Sequence, residues 1–290
     1  MERLTSPRTI KYIMEKYDFK FSKGLGQNFI IDDSVIERIV DGSDLSADDV
    51  VLEVGPGIGV MTEALCEHTK KVVSIEIDKF LIPVLKETVG RFEHLKVINQ
   101  DVLKVDLMQL VKDEFGDQKP KLIANLPYYV TTPIIMKFLE ERIPVSDLIV
   151  MIQKEVADRM VAKPSTKDYG ALSVAVQYFT EPMIVTKVSR GSFMPMPGVD
   201  STVIRLKVRT EPPVVLLDEE TFFNTIKDAF GKRRKTLLNA LSSGHLKISK
   251  DQAKRALALA EIPEIMRGEA LSIHEFATLS NAIYTVKREG

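Results

Sequence analysis

The chain has 290 residues, a formal net charge of −1, 44% apolar and 28% charged side chains, which is the profile of a folded globular protein with a substantial core. A single cysteine, Cys66, excludes an internal disulfide, and no Cys/His cluster has the spacing of a metal site, so we predict no bound metal. The first residues lack a signal-peptide core, and no segment approaches the roughly 18 apolar residues of a membrane span. We therefore expect a cytoplasmic protein without membrane association.

Positive charge is concentrated near the two ends of the chain. Residues 1–23, which form a basic N-terminal arm, carry six basic and three acidic side chains, and residues 227–255 carry nine basic and two acidic ones. The remainder of the chain therefore has a net charge of −11. Such segregation favours a polyanionic partner bound by the two basic segments, although two solvated helix faces would give the same pattern.

Short β-rich runs alternate with helical patterns over the first two hundred residues. Continuous apolar runs predict strands, and amphipathic patterns predict helices between them. The predicted strands are 50–55, 71–78, 95–101, 121–125 and 146–153, and the predicted helices between them include 60–69 and 79–89. Such alternation is typical of an α/β fold with a parallel sheet covered on both faces. A further β-rich run at 203–209 predicts an antiparallel strand at an edge of this sheet.

The pattern changes after Pro212 and Pro213. From residue 218 onward only helical periodicity is found. The two prolines are typical of a linker. We therefore predict two domains, an α/β domain over residues 1–210 and a small helical domain over residues 211–290.

A glycine-rich loop follows the first predicted strand, with the sequence EVGPGIG at 53–59. Gly55 and Gly57 stand between a strand and a helix, where glycines let the backbone turn tightly and approach a ligand. Glu53 is acidic inside an apolar run and needs a partner, because a buried carboxylate is otherwise unfavourable. We predict that all three residues contribute to a cofactor site.

Acidic residues stand at the ends of the next two strands. Glu76, with its neighbour Ile77, ends the second strand, where a carboxylate can accept hydrogen bonds from ribose hydroxyls. Asp101 follows the third strand, where it can accept a bond from an adenine amino group while Val102 contacts the ring. These features fit either a nicotinamide dinucleotide or S-adenosyl-L-methionine. The spacing GxGxG, rather than the dinucleotide spacing GxGxxG, favours S-adenosyl-L-methionine.

The sequence NLPYY at 125–129 ends the fourth strand on the same edge of the sheet. Pro127 makes the bend rigid, so the Asn125 side-chain oxygen and the Leu126 carbonyl are predicted to face the pocket. Two acceptors suit one amino group, and Tyr128 offers a flat face on which a base can stack. Hydrogen bonds from both hydrogens of an adenine N6 to these acceptors make the nitrogen lone pair available. The protein therefore needs to orient the adenine, and we predict no general base.

These motifs, in this order, resemble those of the rRNA adenine N6,N6-dimethyltransferases, the kasugamycin-sensitivity type, which modify two adjacent adenosines near the 3′ end of 16S rRNA. The match runs nearly end to end. It implies a Rossmann-like S-adenosyl-L-methionine-dependent methyltransferase domain followed by a small C-terminal helical domain that binds RNA. It also implies that the partner is 16S rRNA in the small ribosomal subunit or its precursor, that the protein acts in ribosome biogenesis, and that it is a monomer.

The resemblance assigns further residues. The segment GQNFIID at 26–32 is similar to the family's N-terminal cofactor motif, in which Asn28 and Ile30 would contact the cofactor; Leu is usual at position 30. The segment at 191–201 is similar to the target-base segment, where Phe193 would stack on the flipped adenine opposite Tyr128. The segment at 229–241 resembles a basic helix, with RNA contacts expected from Lys232, Arg233, Arg234 and Lys235.

Three other functions compete with this interpretation. A related methyltransferase acts on adenine N6 in large-subunit rRNA and gives macrolide resistance, but the basic segment and the sizeable helical domain favour the small subunit. A non-catalytic RNA-binding or assembly factor could keep the fold, but the complete acceptor set at 125–128 disfavours it. A nicotinamide dehydrogenase is disfavoured by the glycine spacing and by the lack of a His or Lys near the predicted pocket.

Overall fold

The computed structural model describes residues 3–232 and 234–289. The strands are β1 Phe29–Ile30, β2 Val50–Val54, β3 Lys71–Glu76, β4 Leu95–Asn99, β5 Lys121–Asn125, β6 Asp147–Gln153, β7 Thr180–Val188, β8 Phe193–Met194 and β9 Ser201–Val208. The α-helices are α1 Pro7–Lys16, α2 Asp33–Gly42, α3 Val60–His68, α4 Ile82–Thr88, α5 Leu107–Phe115, α6 Thr131–Glu140, α7 Lys154–Met160, α8 Ala171–Phe179, α9 Glu219–Gly231, α10 Leu237–Leu241, α11 Lys250–Leu259 and α12 Ile273–Glu289.

One large sheet organises the first two hundred residues. Within the described chain it has seven strands in the order β4-β3-β2-β5-β6-β9-β7, and strands β2 to β6 run parallel to one another. Strands β2 and β6 are rich in β-branched residues and almost completely buried, as expected for the central part of a sheet covered on both faces. The predicted parallel α/β fold is therefore confirmed, and each predicted strand is present within two residues of its predicted bounds.

The register of the sheet decides which residues meet at its carboxyl edge. On β2, Val54 pairs with Ile75 of β3 on one side and with Ala124 of β5 on the other. The residues directly after these partners are Glu76 and Asn125. Parallel strands end at the same edge, so the glycine loop after β2 begins between the acidic end of β3 and the amide end of β5.

The prediction that 203–209 forms an edge strand is wrong. Strand β9 is antiparallel to β6, with Val150 opposite Ile204, but β7 lies on its other side and forms the edge. Buried residues fill β9, whereas most of β7 is exposed or partly exposed. Because β7 mixes polar and apolar residues, its sequence predicts a strand less clearly than the apolar runs of the buried strands do.

The chain divides into two compact units, whose extents differ from the predicted domains. The first contains the described residues up to Ala157 together with Glu181–Val208, and the second contains Asp158–Thr180 together with the residues from Arg209 onward. The segment 158–180, predicted in the first domain, thus belongs to the helical unit. The reason is aromatic packing: Tyr178 lies 5.2 Å from Phe222 between ring centroids, and the Tyr169 hydroxyl donates to the Leu271 carbonyl at 2.7 Å.

The basic segment is not the single helix that the resemblance implied. Helix α9 ends at Gly231, and α10 begins at Leu237 after the N-cap residue Thr236. Between them the chain turns, and the Lys235 N–H donates to the Lys232 carbonyl at 2.8 Å. Glycine is a poor helix former, and Thr favours the N-cap, so the helix is interrupted here. None of the helices in the described residues combines the length and apolar character that crossing a bilayer requires.

Candidate active site

A cavity of about 230 Å³ opens at the carboxyl edge of the sheet. Its lining includes all five residues predicted to act on the substrate base and every predicted cofactor contact except Glu53. The structure therefore brings together residues from position 28 to position 193 of the chain. These residues lie at the ends of β3 and β5, on the loops that follow β2 to β5, and on or directly before the short ribbon formed by β1 and β8.

The glycine loop forms one wall of the cavity with its backbone. Gly55 and Gly57 have φ angles of +73° and +62°, in the left-handed region that favours glycine. A Cβ on Gly57 would lie 3.1 Å from Cε1 of Phe29, so the loop also needs the smallest residue for space. The loop can therefore approach a ligand more closely than a chain with side chains could.

Glu76 is held by backbone N–H groups on both carboxylate oxygens. The Gly57 N–H donates to Oε2 at 3.1 Å, and the Asp78 N–H donates to Oε1 at 2.8 Å. Burial raises the pKa of Glu76 to about 7, against the opposing effect of these two hydrogen bonds. The carboxylate is therefore oriented by the glycine loop and keeps lone pairs for donors in the cavity.

The loops after β3 and β4 each supply an apolar side chain. Ile77 after β3 is half exposed and Val102 after β4 is buried, and both line the cavity. Asp101 accepts the Leu103 N–H at Oδ1 over 3.0 Å, which orients its carboxylate. An acid beside apolar side chains suits a planar ring that carries an amino group.

Glu53 does not line the cavity, and its predicted cofactor contact is wrong on this geometry. Its side chain is fully buried, and Oε2 accepts the hydroxyls of Thr62 at 2.8 Å and Ser74 at 2.6 Å. Among the described residues no donor reaches Oε1. Burial raises the pKa of Glu53 to about 7, with a smaller contribution from the charge of Glu76. Glu53 therefore ties β2 to β3 and α3 behind the glycine loop.

The amide of Asn125 has a defined orientation. Its Nδ2 donates to the Asn28 carbonyl at 3.0 Å, so Oδ1 is the end that remains for a ligand. Asn28 in turn donates its Nδ2 to the Gly26 carbonyl at 3.0 Å. The predicted cofactor motif and the predicted catalytic amide are thus joined directly.

The bend at 126–127 is equally well determined. The Leu126 N–H donates to the Met151 carbonyl at 3.1 Å, and the Pro127 carbonyl accepts the Val130 N–H and the Thr131 hydroxyl, both at 3.1 Å. Within the described residues no donor is recorded for the Leu126 carbonyl oxygen. The cavity therefore offers two acceptors that the fold does not use, Oδ1 of Asn125 and the carbonyl of Leu126.

Two aromatic side chains line the same cavity. The Tyr128 hydroxyl lies 2.8 Å from Oγ of Ser201, and burial raises its pKa above the ordinary value. Phe193 is buried, and it pairs with Ile30 across the β1–β8 ribbon. The predicted aromatic pair and the predicted contact Ile30 are therefore present at one site.

Three residues with polar side chains in the cavity lining were not predicted. Gln27 donates its Nε2 to Oδ2 of Asp78 at 2.7 Å, and Gln100 and Tyr129 also line the cavity. Gln100 and Tyr129 stand directly beside predicted residues at strand ends, which is the signal that could have identified them. Gln27 gives no comparable signal, because its partner is 51 residues away.

Lys232, Arg234 and Lys235, three of the four predicted RNA contacts, lie between α9 and α10. Arg234 and Lys235 are exposed, whereas Nζ of Lys232 donates to Oγ of Ser243 at 2.7 Å and is partly used within its own unit. Arg233 lies outside the described residues.

Comparison with known proteins identifies relatives over almost the whole chain. A family model described as ribosomal RNA adenine dimethylase matches residues 18–284. A protein of Alkaliphilus oremlandii named ribosomal RNA small subunit methyltransferase A is 56% identical over 281 residues, which cover 97% of this chain and 98% of the relative. A protein of the same name from Clostridioides difficile is 54% identical over 285 residues and covers 98% of both chains.

Solved structures show the same fold. A dimethyladenosine transferase from Plasmodium falciparum superposes with a TM-score of 0.71 at 24% identity, covering 87% of this chain and 95% of the other. The 23S rRNA methyltransferase ErmE superposes with a TM-score of 0.67 at 26% identity, covering 89% and 100%. With a family match over most of its length and relatives that share more than half of its residues, the chain belongs to the ribosomal RNA adenine dimethylase family.

Proposed function

We propose that the protein transfers methyl groups from S-adenosyl-L-methionine to N6 of two adjacent adenosines in the 3′-terminal hairpin loop of 16S rRNA. The observation that carries this proposal is the pair of unused acceptors, Oδ1 of Asn125 and the carbonyl of Leu126, in a cavity lined by two aromatic rings. The small ribosomal subunit is named by relatives at 54–56% identity, whereas the solved 23S enzyme is 26% identical.

The residues of the cavity fit S-adenosyl-L-methionine. Gly55 and Gly57, with their positive φ angles, present backbone and no side chains to the ligand. Glu76 would accept the ribose hydroxyls, and Asp101 with Val102 would hold the adenine. The sulfonium of the bound cofactor supplies an already activated methyl group.

The protein's own contribution is orientation. Oδ1 of Asn125 and the Leu126 carbonyl accept hydrogen bonds from the two N6 hydrogens of the target adenine. This pair of bonds favours a pyramidal nitrogen with an available lone pair. Tyr128 and Phe193 stack on the base after it leaves the RNA, and such stacking contributes about 1–3 kcal/mol per base. The nitrogen loses its proton to water, so no side chain serves as a general base. Preorganised acceptors of this kind act mainly on the transition state.

The exposed basic side chains would contact RNA phosphates. Arg234 and Lys235 stand in one turn, and the basic arm at residues 1–23 adds further positive charge. Phosphate contacts position an RNA without specifying a base. Under this proposal they determine affinity, and the cavity determines which atom is methylated.

The test is methyl transfer from labelled cofactor to undermethylated small ribosomal subunits, followed by nucleoside analysis. We expect N6,N6-dimethyladenosine at two adjacent positions near the 3′ end of 16S rRNA. Large subunits serve as the control substrate. Methylation of large-subunit rRNA with untouched small subunits would reject the proposed substrate, and no transfer to either would reject the proposed reaction.

A further inference from the structure

The carboxylate of Asp32 joins two segments that are 160 residues apart in the chain. Its Oδ1 caps helix α2 by accepting the Ser34 N–H at 3.1 Å and the Ser34 hydroxyl at 2.7 Å. Its Oδ2 accepts the hydroxyl of Ser192 at 2.9 Å. One carboxylate therefore caps α2 with one oxygen and holds the segment that carries Phe193 with the other.

The same two segments are paired through their backbones. The Ile31 N–H donates to the Ser192 carbonyl at 2.9 Å, and β1 pairs with β8 so that Ile30 lies opposite Phe193. Both strands have only two residues, which is too short for a stable ribbon without further support. The ribbon is therefore supported by the burial of Phe29, Ile30 and Phe193 in the core and by the side-chain contact at its end.

The consequence for the cavity follows from what each strand carries. The segment before α2 includes Asn28, whose carbonyl holds the amide of Asn125, and Phe29, which lies behind Gly57. The segment after Ser192 carries Phe193, which lines the same cavity. The hydrogen bond between Asp32 and Ser192 thus joins the segment of Asn28 and Phe29, which belongs to the predicted cofactor site, to the segment of Phe193, which is predicted to contact the base.

We propose that Asp32 and Ser192 form a positioning contact that sets Phe193 against the target base, so that loss of this contact weakens use of the RNA substrate while cofactor binding is retained. This inference rests on the proposed function. Both residues are positioning residues, because neither touches the base or the cofactor. The bond is charge-assisted, since hydrogen bonds from Ser34 and Ser192 hold the pKa of Asp32 below its usual value.

The chain offers a matched pair of variants. Ser192→Ala removes the hydroxyl that reaches Oδ2, and Ser34→Ala removes the hydroxyl that reaches Oδ1 of the same carboxylate. For Ser192→Ala we expect the KM for undermethylated small subunits to rise about three- to tenfold, the effect of one hydrogen bond. Cofactor affinity, measured by calorimetry, is expected to stay within twofold. For Ser34→Ala we expect no change in either quantity.

Two further variants test the pairing. Asp32→Ser keeps a residue that caps α2 but is too short to reach Ser192, so it should reproduce the Ser192→Ala effect. The double variant should be no worse than either single one, because both remove the same bond. Ser192→Thr keeps the hydroxyl and should restore the wild-type KM. The proposal would be rejected if Ser34→Ala raised the KM for small subunits as much as Ser192→Ala does. It would also be rejected if the effects of Asp32→Ser and Ser192→Ala on KM added up in the double variant, or if Ser192→Ala weakened cofactor binding as much as it raised KM.

Hydrogen exchange separates this inference from the proposed function. In the full-length protein, Ser192→Ala should speed exchange at the Ile31 N–H, which donates to the Ser192 carbonyl, and Ser34→Ala should not. If the wild-type protein transfers no methyl group, the proposed function fails, while the exchange rates still decide whether the contact orders the loop. Unchanged exchange in Ser192→Ala would overturn the contact itself.

Discussion

The cavity at the carboxyl edge and the basic turn at 232–235 are built in opposite ways. Most of the cavity's polar groups are at least partly buried, several are oriented by backbone hydrogen bonds, and they are contributed by segments far apart in the chain. The basic turn consists of neighbouring residues, and its described side chains are exposed. Preorganised groups in a low-dielectric cavity act strongly and are little affected by salt, whereas exposed charges act weakly and are screened. Chemistry and affinity are therefore expected to respond to different perturbations.

The largest expected effect is at Asn125. Asn125→Ala removes an acceptor for N6, and we expect the rate constant of methyl transfer to fall about 100- to 1000-fold, as for other preorganised polar groups. The variant also loses the bond to the Asn28 carbonyl, so cofactor affinity should fall no more than about tenfold. Single-turnover kinetics and calorimetry measure the two effects. Equal losses of rate and cofactor affinity would contradict a role for Asn125 toward the base.

The buried carboxyl groups predict a pH dependence of stability. The folded-state pKa of Glu53 is raised from 4.5 to about 7, so the folded protein keeps a proton that the unfolded chain releases. The stabilisation from this proton is complete below the pKa of the unfolded chain and is lost as the pH rises through the pKa of the folded protein. Between the two values the unfolding free energy falls by about 1.4 kcal/mol per pH unit. When the pH is raised from 5 to 8, the unfolding free energy of the wild type should therefore fall by roughly 2–3 kcal/mol more than that of Glu53→Gln.

Urea unfolding at both pH values measures this difference. Glu87→Gln is the control, because the pKa of the partly exposed Glu87 is lowered by hydrogen bonds from Lys16 and Tyr17. Its titration lies below the measured window, so this variant should keep the wild-type slope even if its stability changes. Identical slopes for Glu53→Gln and the wild type would show that Glu53 is ionised in the folded protein.

Glycine loop variants test how closely the backbone approaches the ligand. Gly57→Ala introduces a Cβ 3.1 Å from Phe29 at a φ of +62°, and we expect cofactor affinity to fall about tenfold or more. Gly116→Ala is the matched control, since Gly116 has a φ of +61° and nothing within 4 Å of the added Cβ. Both variants should lose stability, because alanine rarely adopts either positive φ angle. Equal cofactor affinity in the two variants would show that the loop does not need this close approach.

The smallest expected effect is in the basic turn. Lys235→Ala should weaken binding to small subunits about two- to fivefold near physiological salt, and should lower the slope of log K against log salt by about one. Thermal stability should be unchanged, because Lys235 is exposed. Lys232→Ala, which removes the bond to Ser243, is expected to lower the melting temperature as well. A salt slope that Lys235→Ala leaves unchanged would exclude a phosphate contact.

Much of the fold and of the cavity could be predicted because strong local patterns mark them. The buried strands at 50–54 and 121–125 are continuous apolar runs, and Gly55, Glu76 and Asn125 follow strand ends where parallel sheets bind ligands. Strand β7 was missed because its residues are mostly exposed or partly exposed. Glu53 was misassigned because a sequence shows that an acid interrupts a strand and does not show the face on which it lies.

The sequence by itself determined the order of strands and helices, the glycine loop, and the polar residues at the strand ends, because each depends on a few neighbouring residues. Only the tertiary structure decided which of these residues meet. It joined Asn28 to Asn125 and Asp32 to Ser192, and it assigned 158–180 to the helical unit. The physical reason is that hydrogen bonds and packing act over a few ångströms in space, whatever the separation along the chain.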